Sequence, residues 1–180
     1  MNDRLIQKLK KIKLIISDVD GVLTDGSIYI GSNGEEMKKF SVEDGAGVAL
    51  ARASGLIIAL LSGRFSSATD TRAKELKIED IYNGMLNKIP AYEELKLKYN
   101  LEDSEIVYIG DGLIDIPVME KAGIPVSVKN AHPTAKETAV YVTDKSGGSG
   151  ALQETIELVL KAQNQYDDAI NKMREKVLNL

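Results

Sequence analysis

The sequence predicts an α/β fold in three layers, with a parallel β-sheet between two layers of helices. Three apolar runs rich in β-branched residues, at Leu14–Ile16, Leu56–Leu61 and Ile106–Ile109, are typical of buried parallel strands. Helix-like stretches lie between these runs, and such alternation favours a parallel sheet with helices on both faces. With 180 residues, the chain is long enough for one domain with a sizeable core.

The remaining elements are predicted from weaker patterns. Two further strand candidates lie at Pro125–Val128 and Val140–Val142. The predicted helices are Gly45–Ala53, Ser66–Leu76, Pro90–Tyr99, Pro117–Ala122 and Ala151–Gln163. The last stretch, 164–180, is predicted to form a polar helix on the surface or at an oligomer contact. Its apolar positions are Ile170, Met173 and Val177.

One segment breaks the alternation of strands and helices. Ser27–Phe40 contains two short strand-like runs around Gly31–Gly34, a pattern typical of a β-hairpin. The hairpin directly follows the first strand, where a simple doubly wound sheet would have a helix. We interpret Tyr29 and Ile30 on this hairpin as interface residues.

The composition excludes several kinds of site and partner. The chain has no cysteine, which excludes disulfides and thiolate sites, and its single histidine, His132, excludes a multi-histidine metal site within one chain. We interpret His132 as a turn or packing residue. The net charge of −4 and the pI of about 5.2 disfavour nucleic acid and anionic membranes as partners. The charged N-terminal segment shows no targeting signal, so we expect a cytoplasmic protein.

The strongest local signal is DVDGVLTDG, residues 18–26, where the first predicted strand ends. Ligands of open α/β sheets bind outside the carboxyl ends of the strands. Asp18 and Asp20 point to the same side of an extended chain, and paired carboxylates repel each other unless a cation lies between them or one is protonated. Oxygen ligands of this kind suit Mg²⁺. The alternative is a turn with Asx-type hydrogen bonds and glycines at positive φ.

A second acidic segment, Gly110–Asp115, follows the strand at Ile106–Ile109. Taken alone, it is equally compatible with a helix N-cap and its flanking turn residues. Adjacent strand ends of one parallel sheet would, however, bring the carboxylates of the two acidic segments together. The pair of segments therefore favours a shared metal site.

Two further segments offer groups that bind an anion. Ser62-Gly63-Arg64 follows the strand at Leu56–Leu61, and a hydroxyl with the N–H groups of a helix-opening loop can hold a phosphate. An ordinary turn is the alternative, and Lys88, taken alone, is typical of a solvated loop. Together the four segments place a nucleophile, metal ligands, a hydroxyl and a lysine at successive strand ends. Phosphoryl transfer requires this kind of positioning and charge neutralisation.

The motifs DVDGVLTDG, SGR, Lys88 and GDxxxD, in this order, resemble those of the haloacid dehalogenase superfamily. The resemblance runs from about Lys13 to Gln163 and includes the hairpin stretch GSNGEE. It implies a single hydrolase domain over 1–180, with a three-layer Rossmann-like core at about 13–163 and a helical tail at 164–180. The β-hairpin would be inserted after strand 1, and a large cap domain would be absent. It also implies a homotetramer built through the hairpin. The loop Gly147–Gly150 would then lie near an active site of the same chain or of a neighbour.

The resemblance implies a magnesium-dependent phosphatase that forms an aspartyl-phosphate on Asp18. Asp20 would protonate the leaving alkoxide and then activate water, while Asp115 would orient Lys88 or a metal-bound water. The implied Mg²⁺ ligands are Asp18, the main-chain carbonyl of Asp20, and Asp111. The implied catalytic residues are Asp18, Asp20, Ser62, Lys88 and Asp115. The residues implied to contact the substrate are Asp18, Asp20, Gly21, Ser62, Gly63, Arg64 and Lys88, with Arg64 as a candidate for binding a substrate carboxylate.

The implied substrate is 3-deoxy-D-manno-octulosonate 8-phosphate, a phosphosugar of lipopolysaccharide biosynthesis. The alternative with the same chemistry is another phosphosugar, such as a nine-carbon sugar acid 9-phosphate. Three positions depart from the superfamily pattern. Gly112 replaces a common aspartate, and Ser149 and Gln153 stand where basic residues are common. The last two departures remove positive charge from the region implied to recognise an acidic sugar.

Two hypotheses from other classes remain open on the sequence. A response-regulator receiver domain also uses a phosphorylated aspartate, an acidic pair, a hydroxyl and a lysine. Its phosphoacceptor ends a later strand, however, whereas Ser62 follows Leu61 at that position here. A catalytically silent assembly protein is the other hypothesis, and it is disfavoured because every chemical group of the superfamily is present.

Overall fold

A six-stranded parallel sheet forms the centre of the structure. The structure is a computed structural model that describes residues 3–178, apart from the side chain of Val177. The strands, including a separate hairpin, are β1 (Leu14–Ser17), β2 (Tyr29–Ile30), β3 (Glu36–Met37), β4 (Ile57–Ser62), β5 (Asp80–Asn83), β6 (Ile106–Gly110), β7 (Ile124–Ser127) and β8 (Tyr141–Val142). The order across the sheet is β5-β4-β1-β6-β7-β8, which confirms the predicted parallel sheet.

Helices flank this sheet, as the alternating sequence pattern predicts. They are α1 (Asp3–Leu9), α2 (Val42–Ser54), α3 (Ser67–Leu76), α4 (Ile89–Lys98), α5 (Ile116–Lys121), α6 (Pro133–Thr138), α7 (Ala151–Ala162) and α8 (Tyr166–Leu178). Helix α2 packs against α7 and α8, and α5 packs against α4 and α6. Within the described residues, each helix is too short or too polar to cross a lipid bilayer.

The three strongest strand predictions are confirmed as β1, β4 and β6, within one residue at each end. Strand β5 was not predicted, because it has four residues, begins and ends with the polar Asp80 and Asn83, and lies at the edge of the sheet. The short helices α1 and α6 were also missed. His132 is the N-cap of α6, where its Nδ1 accepts a hydrogen bond of 3.2 Å from the N–H of Thr134. This contact agrees with the predicted turn role.

The final helix, α8, packs against the domain instead of standing apart from it. Ala169 is buried, and Ile170 and Met173 pack on the core beside it. The predicted apolar position Val177 lies outside the described side chains. The predicted helix is therefore confirmed, whereas its suggested oligomer contact stays a prediction.

The predicted hairpin is confirmed as the antiparallel pair β2–β3, with Tyr29 opposite Met37 and Ile30 opposite Glu36. Side chains alternate across an extended strand. Met37 is accordingly 55% exposed, whereas the side chain of Lys38, one residue on, is fully buried. At these two positions the segment presents an apolar side chain outward and a charged side chain inward.

The topology brings three strand ends to one edge of the sheet. Strand β1 lies between β4 and β6, and its last residue, Ser17, is level with Leu60 on one side and Ile109 on the other. All three strands are parallel, so their carboxyl ends lie together where the strand order reverses, which is the usual ligand site of such sheets. Asp18 and Asp111, the residues that follow β1 and β6, therefore lie at this edge.

A buried carboxylate links α2 to the start of α7. Asp44 is 1% exposed, and its Oδ1 accepts a hydrogen bond of 3.1 Å from the backbone N–H of Gln153. This contact satisfies one of the N–H groups that a helix N-terminus leaves free. Its Oδ2 is buried and has no hydrogen-bond partner among the described residues. Burial raises the pKa of Asp44 to about 6 from its usual 3.8, although backbone N–H groups and Lys145 act in the opposite direction.

We expect ionisation of Asp44 to destabilise the fold as the pH rises. The folded protein holds this proton more tightly than the unfolded chain, so its contribution to stability is complete only below the unfolded pKa of 3.8 and is lost as the pH rises through about 6. The variant Asp44→Asn cannot ionise. Its free energy of unfolding, relative to that of the wild type, should therefore rise by about 2 kcal/mol between about pH 4 and pH 7.

Urea unfolding of both proteins at the two pH values measures this change. Equal m values for the two proteins serve as the control, because they show that unfolding exposes the same surface. A difference in unfolding free energy that does not vary with pH would contradict the assignment to Asp44.

Candidate active site

The site is centred on Asp18, the first residue after β1. Its backbone N–H donates to the carbonyl of Ile109 on β6 at 3.0 Å, which extends the sheet by one residue. The Asp18 side chain is nearly buried, and its Oδ1 accepts a hydrogen bond of 2.7 Å from the N–H of Val19. Burial raises the pKa of Asp18 to about 8, even though the adjacent Lys88 ammonium acts to lower it. An added cation would therefore favour the ionised carboxylate.

Lys88 supplies the positive charge beneath Asp18. Its Nζ lies 2.7 Å from Oδ1 of Asp18 and 2.7 Å from Oδ1 of Asp115, and it donates to the hydroxyl of Tyr108 at 3.1 Å. The Lys88 side chain is fully buried, which excludes the alternative of a solvated loop lysine. Burial alone would lower the pKa of Lys88, but Asp18 and Asp115 raise it instead, so the side chain stays an ammonium.

Asp115 connects this lysine to the loop after β6. Its Oδ2 accepts hydrogen bonds from the N–H groups of Asp111 at 3.0 Å and Gly112 at 2.9 Å. Its Oδ1 accepts from Lys88 and, at 2.6 Å, from the hydroxyl of Tyr108. Both oxygens of Asp115 are therefore occupied by protein donors. Such a carboxylate orients its neighbours and is poorly placed to bind a metal ion as well.

Three carboxylates converge above β1. Oxygens of Asp18, Asp111 and Asp115 lie within 4.8 Å of one another. Burial and, to a lesser extent, the nearby Asp115 raise the pKa of Asp111 to about 6. Buried carboxylates that face each other without enough positive charge favour a cation between them. A set of carboxylate oxygens fits Mg²⁺. Oδ1 of Asp18 is occupied by Val19 and Lys88, so the oxygens available to an ion are Oδ2 of Asp18 and those of Asp111.

Two glycines allow the loops around these carboxylates to approach each other closely. Gly21 has φ +92°, and a Cβ on it would lie 2.1 Å from Oδ2 of Asp111. A Cβ on Gly147 would lie 1.7 Å from the carbonyl oxygen of Gly21, and the N–H of Gly148 donates to the carbonyl of Val22 at 2.9 Å. The loop that begins at Gly147 therefore lies against the site of its own chain, which is one of the two placements that the sequence left open.

The segment after β4 forms the side of the site next to Asp18. Ser62 is buried, and its hydroxyl donates to the carbonyl of Arg64 at 2.7 Å. The guanidinium of Arg64 forms an ion pair with the carboxylate of Glu36 on the hairpin. Arg64 is thus close to the site but already paired, so an acidic substrate would compete with Glu36 for it.

Asp20 stands apart from the three converging carboxylates. Its side chain is 27% exposed, and its Oδ1 lies 2.6 Å from Nζ of Lys38. The contribution of its main-chain carbonyl to a metal site stays a prediction, as do the roles of Gly63 and the other substrate contacts.

Sequence reasoning missed two polar residues of the site, Tyr108 and Lys38. Tyr108 lies within the apolar strand Ile106–Ile109 and is fully buried. A hydroxyl in the middle of a buried strand needs a polar partner, and this was the available signal. Lys38 alternates with the exposed Met37, which places it on the inner face of the hairpin, but only the tertiary structure shows what that face covers.

Comparison with known proteins gives a consistent result. The family model of haloacid dehalogenase-like hydrolases matches residues 57–154. The chain is 44% identical over 165 residues to the 3-deoxy-D-manno-octulosonate 8-phosphate phosphatase KdsC of Escherichia coli K12, over 92% of this chain and 88% of that protein. Its fold is similar to a crystal structure of the Yersinia pestis phosphatase of the same name, with a TM-score of 0.91, 41% identity, and 93% and 90% of the two chains covered.

A second solved structure carries ligands. It is a 3-deoxy-D-manno-octulosonate 8-phosphate phosphatase from Moraxella catarrhalis in complex with magnesium, phosphate and KDO. This chain matches it with a TM-score of 0.91 and 43% identity, over 95% of this chain and 98% of that one. The similarity extends over nearly the whole chain, so the hypothesis of a receiver domain is set aside.

We expect Gly21→Ala to weaken Mg²⁺ binding, because the new methyl group would displace the carboxylate of Asp111. Gly26→Ala is a matched control, since Gly26 has φ +83° in the same loop, and its nearest neighbour, Cα of Gly21, lies 3.7 Å from an added Cβ. Both variants carry a similar backbone cost, because both glycines have positive φ, but only the first displaces the predicted metal ligand Asp111. Isothermal titration with MgCl₂ should show at least about a tenfold weaker affinity for Gly21→Ala than for Gly26→Ala.

Equal Mg²⁺ affinities for the two variants would contradict the proposed role of Asp111 as a ligand. Circular dichroism of both variants at the temperature of the titration checks that they are folded.

Proposed function

The chain belongs to the haloacid dehalogenase-like hydrolases, and from this premise we propose that it is a single-domain, Mg²⁺-dependent phosphatase of 3-deoxy-D-manno-octulosonate 8-phosphate. The observation that carries the proposal is the environment of Asp18. This carboxylate directly follows the central strand and contacts the buried Lys88 ammonium. One of its oxygens lies within 4.8 Å of an oxygen of Asp111 and of an oxygen of Asp115. Asp20 follows two residues later at the more open side of the site.

In the first step, a carboxylate oxygen of Asp18 attacks phosphorus, and the bond between phosphorus and the ester oxygen breaks. The electron pair of that bond goes to the ester oxygen, which takes a proton from the carboxyl group of Asp20. The products of this step are the free sugar acid, an aspartyl-phosphate on Asp18 and an ionised Asp20. A nucleophilic carboxylate of this kind divides one slow displacement into two easier ones.

In the second step, Asp20 accepts a proton from water, and the water oxygen attacks phosphorus. The bond between phosphorus and the Asp18 oxygen breaks, which restores the carboxylate and releases phosphate. Lys88 keeps Asp18 oriented through both steps and offsets charge on the phosphoryl group. Ser62 lies where its hydroxyl could turn from the carbonyl of Arg64 to a phosphoryl oxygen.

Asp18 and Asp111, with the main-chain carbonyl of Asp20, would hold the Mg²⁺. When bound, the ion supplies positive charge that favours the ionised carboxylates and offsets the charge on the phosphoryl oxygens. Asp115 does not need to be a ligand for this, because both of its oxygens already accept hydrogen bonds from protein groups.

The identity of the substrate is supported by the relatives. Proteins 42–44% identical to this chain over at least 92% of it carry the name of this activity, which belongs to lipopolysaccharide biosynthesis. Arg64 offers a planar donor for a sugar carboxylate. Ser149 and Gln153 add no charge, but Lys145 is nearby, with its Nζ 3.0 Å from Oε1 of Gln153. We also propose that the enzyme works in the cytoplasm, since a charged phosphate ester that is made inside the cell crosses bilayers poorly and stays there.

Phosphate release from a panel of sugar phosphates tests this function. With MgCl₂, the wild type should hydrolyse 3-deoxy-D-manno-octulosonate 8-phosphate with a higher kcat/KM than a nine-carbon sugar acid 9-phosphate or hexose phosphates. Treatment with EDTA should abolish the release. Asp18→Asn should retain less than about one-thousandth of the rate, because it lacks the nucleophile. Asp25→Asn, a change in the same motif but at an exposed position, should stay close to wild type.

Each part of the proposal can fail separately. Equal kcat/KM values for the octulosonate ester and hexose phosphates would contradict the substrate, and an active Asp18→Asn variant would contradict the nucleophile. Stable phosphorylation of Asp18 without turnover would contradict the second step, in which water hydrolyses the aspartyl-phosphate.

We also propose that the hairpin assembles a homotetramer, as the sequence resemblance implies. Its exposed apolar residues are 45–68% accessible in the single chain, a cluster that favours burial by another protein surface. They are Ile28, Tyr29, Ile30 and Met37. Exposed apolar side chains also lie beside Gly63, where a neighbouring chain could cover the site, and these are Leu86 and Ile114.

Light scattering after gel filtration measures the assembly. The wild type should have four times the chain mass of 19.6 kDa, and Ile30→Asp should give smaller species because a charge would be buried at the contact. Leu97→Asp is the control, since Leu97 is 82% exposed on α4, away from the hairpin. Identical masses for the wild type and Ile30→Asp would contradict assembly through the hairpin.

A further inference from the structure

The hairpin places a second lysine in the site, besides Lys88. The side chain of Lys38, directly after β3, is fully buried, and its Nζ lies 2.6 Å from Oδ1 of Asp20. It also donates to Oγ1 of Thr69 on α3 at 3.4 Å, and it lies 4.0 Å from Oε1 of Glu36. Lys38 is 18 residues away from Asp20 in sequence, so only the folded hairpin creates this contact.

Burial of an ammonium group is costly unless it is paired and hydrogen-bonded. The hydrogen bond between Lys38 and Asp20 is charge-assisted, and such bonds are short and strong. By contrast, the hydrogen bond to Thr69 is long and Glu36 is at the outer limit of an ion pair. Asp20 is therefore the principal partner of Lys38.

The two lysines of the site have separate partners. Lys88 contacts Asp18 and Asp115, which follow β1 and β6, whereas Lys38 contacts Asp20 from the hairpin. The hairpin is itself anchored to the loop after β4 by the ion pair between Glu36 and Arg64. Glu36 and Lys38 thus point into the site, whereas Met37 between them is exposed.

We propose that Lys38 is a positioning residue that holds the carboxyl group of Asp20 in the orientation needed for proton transfer. This inference rests on the proposed function, in which Asp20 exchanges a proton with the ester oxygen and then with water. Lys38 occupies Oδ1 of Asp20, and this leaves Oδ2 to carry the proton. A side chain that is 27% exposed and unanchored would rotate, and a misplaced acid transfers its proton less well.

The contribution of Lys38 should depend on the leaving group. An alkyl ester such as the sugar phosphate leaves as a basic alkoxide and needs the proton from Asp20 in the first step. A p-nitrophenyl ester leaves as a stable phenolate and needs little protonation. A loss of Asp20 orientation should therefore slow the first step for the alkyl ester much more than for the aryl ester, whereas general damage to the site would slow both.

Single-turnover measurements with enzyme in excess separate this step from release of phosphate. The release of the free sugar acid and of p-nitrophenol is followed in MgCl₂ for the wild type, Lys38→Met and Lys38→Arg. General acid catalysis contributes about 10²–10⁴-fold, so Lys38→Met should slow release of the sugar acid by at least about 30-fold, and that of p-nitrophenol by less than about 3-fold. Lys38→Arg keeps the positive charge and the hydrogen-bond donors, and it should recover most of the wild-type rate of sugar-acid release.

Lys39→Met is the matched control, because Lys39 is the exposed neighbour of Lys38 on the same segment. Lys39→Met should not change the ratio between the rate of sugar-acid release and the rate of p-nitrophenol release. If Lys38 acts through Asp20, adding Lys38→Met to Asp20→Asn should change the alkyl rate by less than about 3-fold, since coupled residues are not additive.

The inference would be overturned if Lys38→Met slowed release from the alkyl and the aryl ester by the same factor. It would also be overturned if adding Lys38→Met to Asp20→Asn slowed the alkyl ester by the same factor as Lys38→Met slows the wild type. If Lys38→Met releases neither product, the same ratio measured with Lys38→Gln, which keeps an amide donor, decides the question. A wild type that releases neither product would overturn the proposed function instead, so the two failures are distinguishable.

Discussion

The ion cluster of Asp18, Lys88 and Asp115 is the contact on which the site depends. It places one ammonium between two carboxylates in a region closed to water, with both distances at 2.7 Å. Removal of one partner from such a cluster leaves an uncompensated buried charge, which costs about 3–5 kcal/mol in typical proteins. The cluster therefore joins the end of β1, the start of α4 and the loop after β6 through charges that none of these segments could bury alone.

The same cluster leaves the site short of positive charge. Asp18 and Asp111 both have raised pKa values, chiefly because of burial. One lysine among three carboxylates stabilises the fold while leaving a place where a divalent cation and a phosphoryl group complete the charge balance. Stability and function are thus connected through the incomplete neutralisation of these carboxylates.

The hairpin carries two different surfaces on one short segment. Glu36 and Lys38 reach Arg64 and Asp20, whereas a cluster of apolar residues on the same segment is exposed. Along Glu36–Lys38, the two-residue alternation of an extended chain separates the exposed Met37 from the two inward residues. In a protein with a small hairpin in place of a large cap domain, the segment proposed to hold the subunits together also contacts the proposed acid, so assembly and proton transfer share a structural element.

Much of the fold and of the chemistry could be predicted from local patterns. The apolar runs identified β1, β4 and β6 because a strand buried on both faces needs such residues along its whole length. Strand β5 escaped because Asp80 and Asn83 interrupt its apolar pattern at the sheet edge, where less burial is required. The acidic segments were identifiable because carboxylates and glycines at strand ends are unusual without a ligand.

Local sequence fixes which chemical groups are present and at which strand ends they occur, since those features are properties of adjacent residues. The pairing of these groups depends on the folded chain. The pairing of Lys88 with Asp115, of Tyr108 with both, and of Lys38 with Asp20 joins residues between 7 and 27 positions apart. Such pairs are set by strand order and by the packing of loops, down to the contact of Gly147 with Gly21. The physical reason is that burial, which makes each of these charges depend on its neighbour, exists only in the folded chain.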